Sequence, residues 1–293
     1  MIDSPIRWIG GKARQRQKLV PLLQAAPHTL YVEVFGGAGW VLFAKPPTAA
    51  EVYNDLDGEL VNFFRVIQDQ PEAFLDSCKW LLASREWFNE MAATDSAMLD
   101  PVRRARRFYY LLMGGFCGQY DPPRLGLRIS NAQRGRRMVS PLNYHLQSLH
   151  KRVRLAHQRL LRVFIEHDDW RNILDRYDDR ETLFYLDPPY PGNECDYRHN
   201  MTGWAEHEEL ATRLSGLQGR WLLTLYDQPR VRELYTNYWQ QPMVTTGGAP
   251  APNGSRIILH ELVIANYDPY DVTMLPLLSW TTSNQPMAGE RIR

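Results

Sequence analysis

The strongest constraint on how this chain folds is a repeated arrangement of β-prone apolar runs, the early ones stopping at a glycine cluster or an acid. Leu30 to Phe35 (LYVEVF) runs into Gly36-Gly37-Ala38-Gly39, and Ala49 to Tyr53 (AAEVY) runs into Asn54-Asp55. From Gly58 to Gln68, Leu60, Phe63, Phe64 and Ile67 recur at three- and four-residue spacing, the period of a helix with one buried face. The texture returns at Thr182 to Leu186 (TLFYL), Trp221 to Tyr226 (WLLTLY) and Arg256 to Ala265 (RIILHELVIA), and Asp227 with Pro229 reads as a helix start after the second of these. Strands alternating with helices in this way imply an α/β fold built on a parallel sheet.

Between the two halves of that pattern the character changes. From about Pro71 to Phe164 helical segments predominate, with an irregular stretch at Gly114 to Ser140. Leu146, Leu149, Val153, Ala156, Leu160 and Phe164 form an apolar helical stripe, opposite a face bearing Lys151, Arg152, Arg154, Arg159 and Arg162. The net charge of +1 conceals a division. Pro101 to Phe164 holds 14 Lys plus Arg against one acid, Asp121, while the rest of the chain holds 20 basic and 32 acidic residues. Such asymmetry is the electrostatic footprint of a nucleic-acid-binding segment. The expected organisation is a discontinuous catalytic domain (1–68 and 165–271), a basic helical insertion (69–164) and a tail (272–293).

Asp187-Pro188-Pro189-Tyr190 follows TLFYL directly. A buried strand that ends in Asp places a carboxylate at the carboxyl edge of the sheet, where α/β folds hold their ligands. Two prolines fix the backbone and remove two N–H donors, leaving carbonyls free to accept; the tyrosine supplies a flat face for stacking. These four residues suit catalysis on an adenine amine, whose lone pair is delocalised into the ring. If Asp187 and the Pro188 carbonyl accept its two N–H bonds, the lone pair localises and points at a methyl donor, and the developing positive charge meets a preorganised acceptor. A second Asp-Pro-Pro, at Asp121 to Pro123, has no strand before it and Arg124 after it, and reads as a loop.

Phe35, Gly36, Gly37 and Gly39 form a strand-end loop that lets backbone approach a ligand closely, or equally a plain tight turn. Asp55, closing the next strand about twenty residues on, can accept both ribose hydroxyls of an adenosine-containing ligand. The phosphate fingerprint GxGxxG is missing, which favours S-adenosyl-L-methionine over a dinucleotide. In Arg7-Trp8-Ile9-Gly10-Gly11-Lys12, Trp8 and Lys12 could stack on an adenine ring and bind a carboxylate, although the segment equally suits a flexible N-terminus.

The order WxGGK, FxGxG, ND, basic insertion, DPPY, with a late Glu261-Leu-Val-Ile-Ala-Asn266-Tyr267, resembles the Dam-type (D12 class) adenine-N6 DNA methyltransferases over roughly residues 5 to 270. The resemblance implies a Rossmann-like methyltransferase sheet with an inserted, mainly helical target-recognition domain. It implies S-adenosyl-L-methionine as donor, double-stranded DNA as partner, and Trp8, Lys12, Asp55 and Asp187 as cofactor contacts, with Asp187 also facing the target amine and Tyr190 stacking on the flipped base. Two departures stand out. Tyr226-Asp227 occupies a place where the family has Ser-Asn-type residues, and Phe116-Cys117-Gly118 replaces an aromatic-Asn-Gly. The recognition sequence is therefore left open. In the insertion, Arg124, Arg128, Arg134, Arg136 and Arg137 are the candidates for reading bases; Arg103, Arg104, Arg106, Arg107 and the set from Lys151 to Arg162 are expected at phosphates or in solvent.

Rival readings are weaker. Cytosine-N4 methyltransferases more often carry Ser where Asp187 stands. Attack on cytosine carbon needs a cysteine, usually after proline, and Cys78, Cys117 and Cys195 follow Ser77, Phe116 and Glu194. Protein-glutamine methylation typically uses Asn at the motif's first position and leaves the basic insertion unexplained. A DNA-binding regulator without catalysis has no need of Asp55, Asp187 and Tyr190 together. Three dispersed cysteines fit neither a disulfide framework nor a metal site. With no apolar run of ~18 residues and no secretory signal, a cytoplasmic protein is expected, a monomer with higher assembly left open.

Overall fold

The computed structural model describes residues 2–120, 123–125, 141–191, 201, 203–247 and 257–271. Five parallel strands form the centre of a seven-stranded sheet: β1 (Leu30–Glu33), β2 (Ala50–Asn54), β5 (Val163–Glu166), β6 (Thr182–Leu186) and β7 (Arg220–Tyr226). A hairpin of β8 (Trp239–Gly247) and β9 (Ile257–Ala265) runs antiparallel at one edge, giving the order β5-β2-β1-β6-β7-β9-β8. Renumbered within the sheet this is 3-2-1-4-5-7-6, a Rossmann-like arrangement whose last strand is tucked inside its predecessor.

Side chains alternate strictly along the strands, and two cores result. Tyr31, Tyr53, Leu183, Tyr185 and Leu222 face one core; Val32, Val52, Phe184, Trp221 and Leu223 face the other. The first is covered by α1 (Arg16–Gln24), α2 (Trp40–Ala44), α3 (Gly58–Asp69), α4 (Pro71–Cys78), α6 (Pro101–Gly114) and α8 (Leu149–Leu160). The second is covered by α9 (Trp170–Tyr177), α10 (Trp204–Gly216) and α11 (Pro229–Leu234). Both faces of the sheet are buried, as its continuous apolar strands require. The helices α4, α6 and α8 of the basic stretch share the core of α3 and the sheet. α5 (Arg85–Ala93) and α7 (Pro141–Gln147) add to that side through Phe88 and Leu142.

Three local expectations are corrected. The helical stripe does not reach Phe164: α8 ends at Leu160, and Val163–Glu166 is the edge strand β5, with Val163 buried and Phe164 62% exposed. The four-residue step from Leu160 to Phe164 imitates a helix, while Val163 and Ile165 set the period of two that the sheet uses. Inside the stretch read as irregular, Gly115–Tyr120 forms β3 and pairs antiparallel with β4 (Pro123–Leu125), so part of the second Asp-Pro-Pro copy is strand rather than loop. Two glycines in six residues hide the strand period there. Third, several basic side chains expected in solvent or on phosphates are committed inside the fold. Arg159 pairs with Glu51 and Arg104 with Glu59, while Arg107 donates to the Met91 carbonyl and Arg152 to the Tyr109 hydroxyl.

Candidate active site

Strand order reverses between β1 and β6, which lie side by side with Leu30 opposite Thr182 and Glu33 opposite Tyr185. A crevice opens beyond the carboxyl ends at such a point. Asn54 ties its rim together: its side-chain amide donates to the Val34 and Asp168 carbonyls, and its oxygen accepts the Asp168 N–H. The pocket formed here is lined by Trp8, Lys12, Phe35, Gly36, Gly37, Asp55, Asp187 and Pro189, all expected from the sequence, and also by Trp40, Tyr120, Asp168, Asp169, Trp170 and Glu206. Gly39, Pro188 and Tyr190 are not among the lining residues. Gly39 holds φ +66° as it starts α2, and Pro188 is buried. Arg124 lies on β4; Arg128, Arg134, Arg136 and Arg137 lie outside the described residues, as does the tail, 272–293.

The glycines of the loop after β1 are needed for packing. A Cβ on Gly36 would collide with the Tyr53 ring, and one on Gly37, where φ is +50°, would sit 3.0 Å from the Trp8 ring. Tyr53 closes the loop by donating its hydroxyl to the Gly37 carbonyl at 2.6 Å. Asp55 accepts the Gly37 N–H through one oxygen (2.7 Å) and the Asp57 N–H through the other (2.8 Å). Burial pushes its pKa up to about 6 even so. Asp57 caps α3 by accepting the Glu59 and Leu60 N–H groups, and it also accepts the Tyr120 hydroxyl. Tyr120 thus brings the inserted stretch onto the pocket wall.

At the other end lies a cluster that the motifs show only in part. Lys12 Nζ is 2.7 Å from Asp187 Oδ1 and 3.4 Å from Glu261 Oε1, and donates its third hydrogen bond to the Gly10 carbonyl at 3.2 Å. The lysine expected to grip a ligand carboxylate therefore has two carboxylates of its own chain beside it. Burial opposes its charge, and the two carboxylates more than restore it, so its pKa is raised. The Tyr190 hydroxyl bridges Asp187 Oδ1 (3.1 Å) and Glu261 Oε1 (3.0 Å), and its ring meets Tyr226 edge-on with centroids 4.5 Å apart. Thr224 Oγ1 donates to Asp187 Oδ1 at 2.7 Å, and Gln15 anchors Glu261 Oε2 at 3.2 Å. Asp187 is raised above the ordinary carboxylate range by burial, with Lys12 and Thr224 opposing and Glu261 adding. Nearby, burial takes Glu33 up to about 8, against the bond it accepts from the Tyr31 hydroxyl.

Sequence reasoning missed Glu33, Thr224, Gln15 and the acidic segment Asp168-Asp169 after β5. Glu33, the last residue of the VE step before Phe35, carried a readable signal: an acid inside an otherwise apolar strand. Thr224 carried none, because a threonine in a buried strand is ordinary.

A switch-point pocket at the end of β1, closed by an acid-ended β6, is the ligand-site arrangement of a Rossmann-like sheet. Residues 8–245 match the D12 class N6 adenine-specific DNA methyltransferases, and the chain belongs to that family of DNA methyltransferases. Among curated proteins it is similar to the type II methyltransferase M1.LlaDCHI of Lactococcus lactis subsp. cremoris, 24% identical over 290 residues, covering 89% of this chain and 94% of that one. It is also 24% identical over 235 residues to the type II methyltransferase M.CviBI of Paramecium bursaria Chlorella virus NC1A, covering 80% and 86%. Among solved structures, an rRNA methylase of Streptococcus thermophilus superposes with a TM-score of 0.33 at 10% identity, covering 90% of this chain and 98% of that one. Among the described residues no helix is long and apolar enough to cross a membrane.

Proposed function

We propose that this DNA methyltransferase transfers the methyl group of S-adenosyl-L-methionine to the exocyclic N6 amine of an adenine flipped out of double-stranded DNA. The observation that carries this is the presentation of Asp187. All its hydrogen bonds among the described residues fall on Oδ1, from Lys12, Tyr190 and Thr224, so Oδ2 is left for a substrate N–H in a residue that lines the pocket.

The pocket suits the donor. Its lining carries seven carboxyl groups (Glu33, Asp55, Asp57, Asp168, Asp169, Asp187 and Glu206), of which Glu33 keeps its proton at neutral pH, and, of basic side chains, Lys12. That balance favours a ligand of net positive charge over a phosphate-bearing dinucleotide. Trp8 and Trp170 offer flat apolar surface for an adenine ring, and Asp55 is the acceptor for ribose hydroxyls. The bound cofactor supplies an electrophilic methyl group. Asp187 Oδ2 and the Pro188 carbonyl would accept the two N6–H bonds, which would localise the nitrogen lone pair for methylation, and one N6 proton would then be lost to solvent to give the neutral methylamine. Tyr190, clamped through its hydroxyl, keeps its ring at a fixed tilt beside the flipped base. The stretch 69–164 holds the DNA, with Arg124, Arg128, Arg134, Arg136 and Arg137 as base readers, in a monomeric cytoplasmic enzyme; a restriction partner would suit such an activity.

The test is incubation of unmethylated DNA with methyl-labelled S-adenosyl-L-methionine, followed by digestion to nucleosides. Label in N6-methyldeoxyadenosine is expected. Label in N4-methyldeoxycytidine instead would transfer the mechanism to the cytosine amine, and no label, with the cofactor bound, would refute catalysis and favour a DNA-binding regulator.

A further inference from the structure

We infer that Thr224 is a positioning residue for methyl transfer: its hydroxyl locks the Asp187 carboxylate so that Oδ2, and not Oδ1, meets the substrate amine. The inference rests on the amine reading above. Three donors converge on Oδ1, but they differ in what holds them. Lys12 comes from the segment before α1 and is shared with Glu261 and the Gly10 carbonyl. Tyr190 belongs to the same motif as Asp187 and is shared with Glu261.

Thr224 sits in β7, the neighbour of β6 in the sheet, and is fully buried. Its hydroxyl has one proton, and its two nearest acceptors are Asp187 Oδ1 at 2.7 Å and the Leu186 carbonyl at 3.3 Å. The proton goes to the nearer, charged acceptor, which makes the stronger bond. A β-branched side chain in a strand is stiff about χ1, so the hydroxyl direction is set by the sheet itself. Tyr185, 3.5 Å away, backs it on the other side. Lys12 and Tyr190 have the Glu261 carboxylate as an alternative when a base enters; Thr224 has only longer contacts to neutral groups, the Leu186 carbonyl and the Tyr185 hydroxyl. It is the fixed member of the three.

Thr224→Val removes the hydroxyl and keeps the shape and the strand preference. Expected is a fall in kcat of about 10- to 100-fold, with cofactor Kd and DNA Kd within about twofold. Thr224→Ser restores the hydroxyl without the β-branch that stiffens χ1, and should recover part of the lost rate. The acid limb of the kcat–pH profile should also move to higher pH in Thr224→Val, because the lost bond favoured ionised Asp187. The groups facing that carboxylate (Lys12, Glu261, Tyr190, Tyr185 and Glu33) are unchanged in both variants. A folded Thr224→Val enzyme with wild-type kcat overturns the inference, as does one whose acid limb stays at the wild-type pH; should Thr224→Val not fold, a Thr224→Ala enzyme with wild-type kcat overturns it in the same way. Failure of the amine reading shows separately, in the absence of N6-methyldeoxyadenosine from the unmodified enzyme.

Discussion

A carboxyl group deprived of water keeps its proton unless a positive partner replaces the lost solvation. Glu33 has the Tyr31 hydroxyl beside it and Lys45 only at a distance, and burial holds its pKa at about 8. The folded chain therefore binds a proton that the unfolded chain releases near 4.5. That contribution to stability is complete below the unfolded value and is lost as pH rises through the folded one. The wild-type Tm should accordingly fall relative to that of Glu33→Gln between about pH 5 and pH 9; parallel curves would show that Glu33 does not titrate in this window. Burial raises Asp187 as well, with Lys12 and Thr224 opposing the rise. Asp187→Ala should reduce kcat by at least about 100-fold while DNA affinity, measured by anisotropy, stays within a few-fold. An active variant would refute the acceptor role.

Among the elements, β2, α2 and α8 are joined by one buried acid. Glu51 of β2 accepts from Lys45, which follows α2, at 2.6 Å, and from Arg159 of α8, with all three side chains almost fully enclosed. Removing the acid leaves two buried cations without a counter-charge, so Glu51→Ala should cost about 3–5 kcal/mol in denaturant unfolding. Glu72 of α4, 65% exposed and paired with Arg154 of α8, provides the contrast: Glu72→Ala should change stability by less than about 1 kcal/mol. Equal effects would mean that the Glu51 cluster does not pin the helices. This scale is where sequence patterning is least secure. The strands β1, β2, β6 and β7 were legible from apolar runs, since both their faces are buried, and β9 from its buried half, Glu261 to Ala265. β3 was hidden by glycines, and β5 by a spacing that a helix and a strand can share.

For the whole molecule, the charge division remains the basis for assigning DNA to the stretch 69–164, but the structure reduces its effective size. Arg104, Arg154 and Arg159 are paired with Glu59, Glu72 and Glu51, so part of the basic excess is neutralised within the fold. DNA affinity should still fall steeply with salt; release of counterions from 6–10 phosphates would lower it by roughly 10³- to 10⁵-fold between about 50 and 200 mM. A flat salt dependence would remove the insertion from the interface. What the sequence by itself determined was the parallel α/β sheet, the strand-end placement of Asp55 and Asp187, and the family, because periodicity and strand-end motifs are properties of neighbouring residues. Only the tertiary structure decided which donors reach Asp187. Lys12, Tyr190, Thr224 and Glu261 meet there because β7 lies beside β6, β9 lies beside β7 and the N-terminal segment closes over them. Gln15 and Glu261, bonded across 246 positions, illustrate the reason: strand order brings distant side chains together, and no local pattern records strand order.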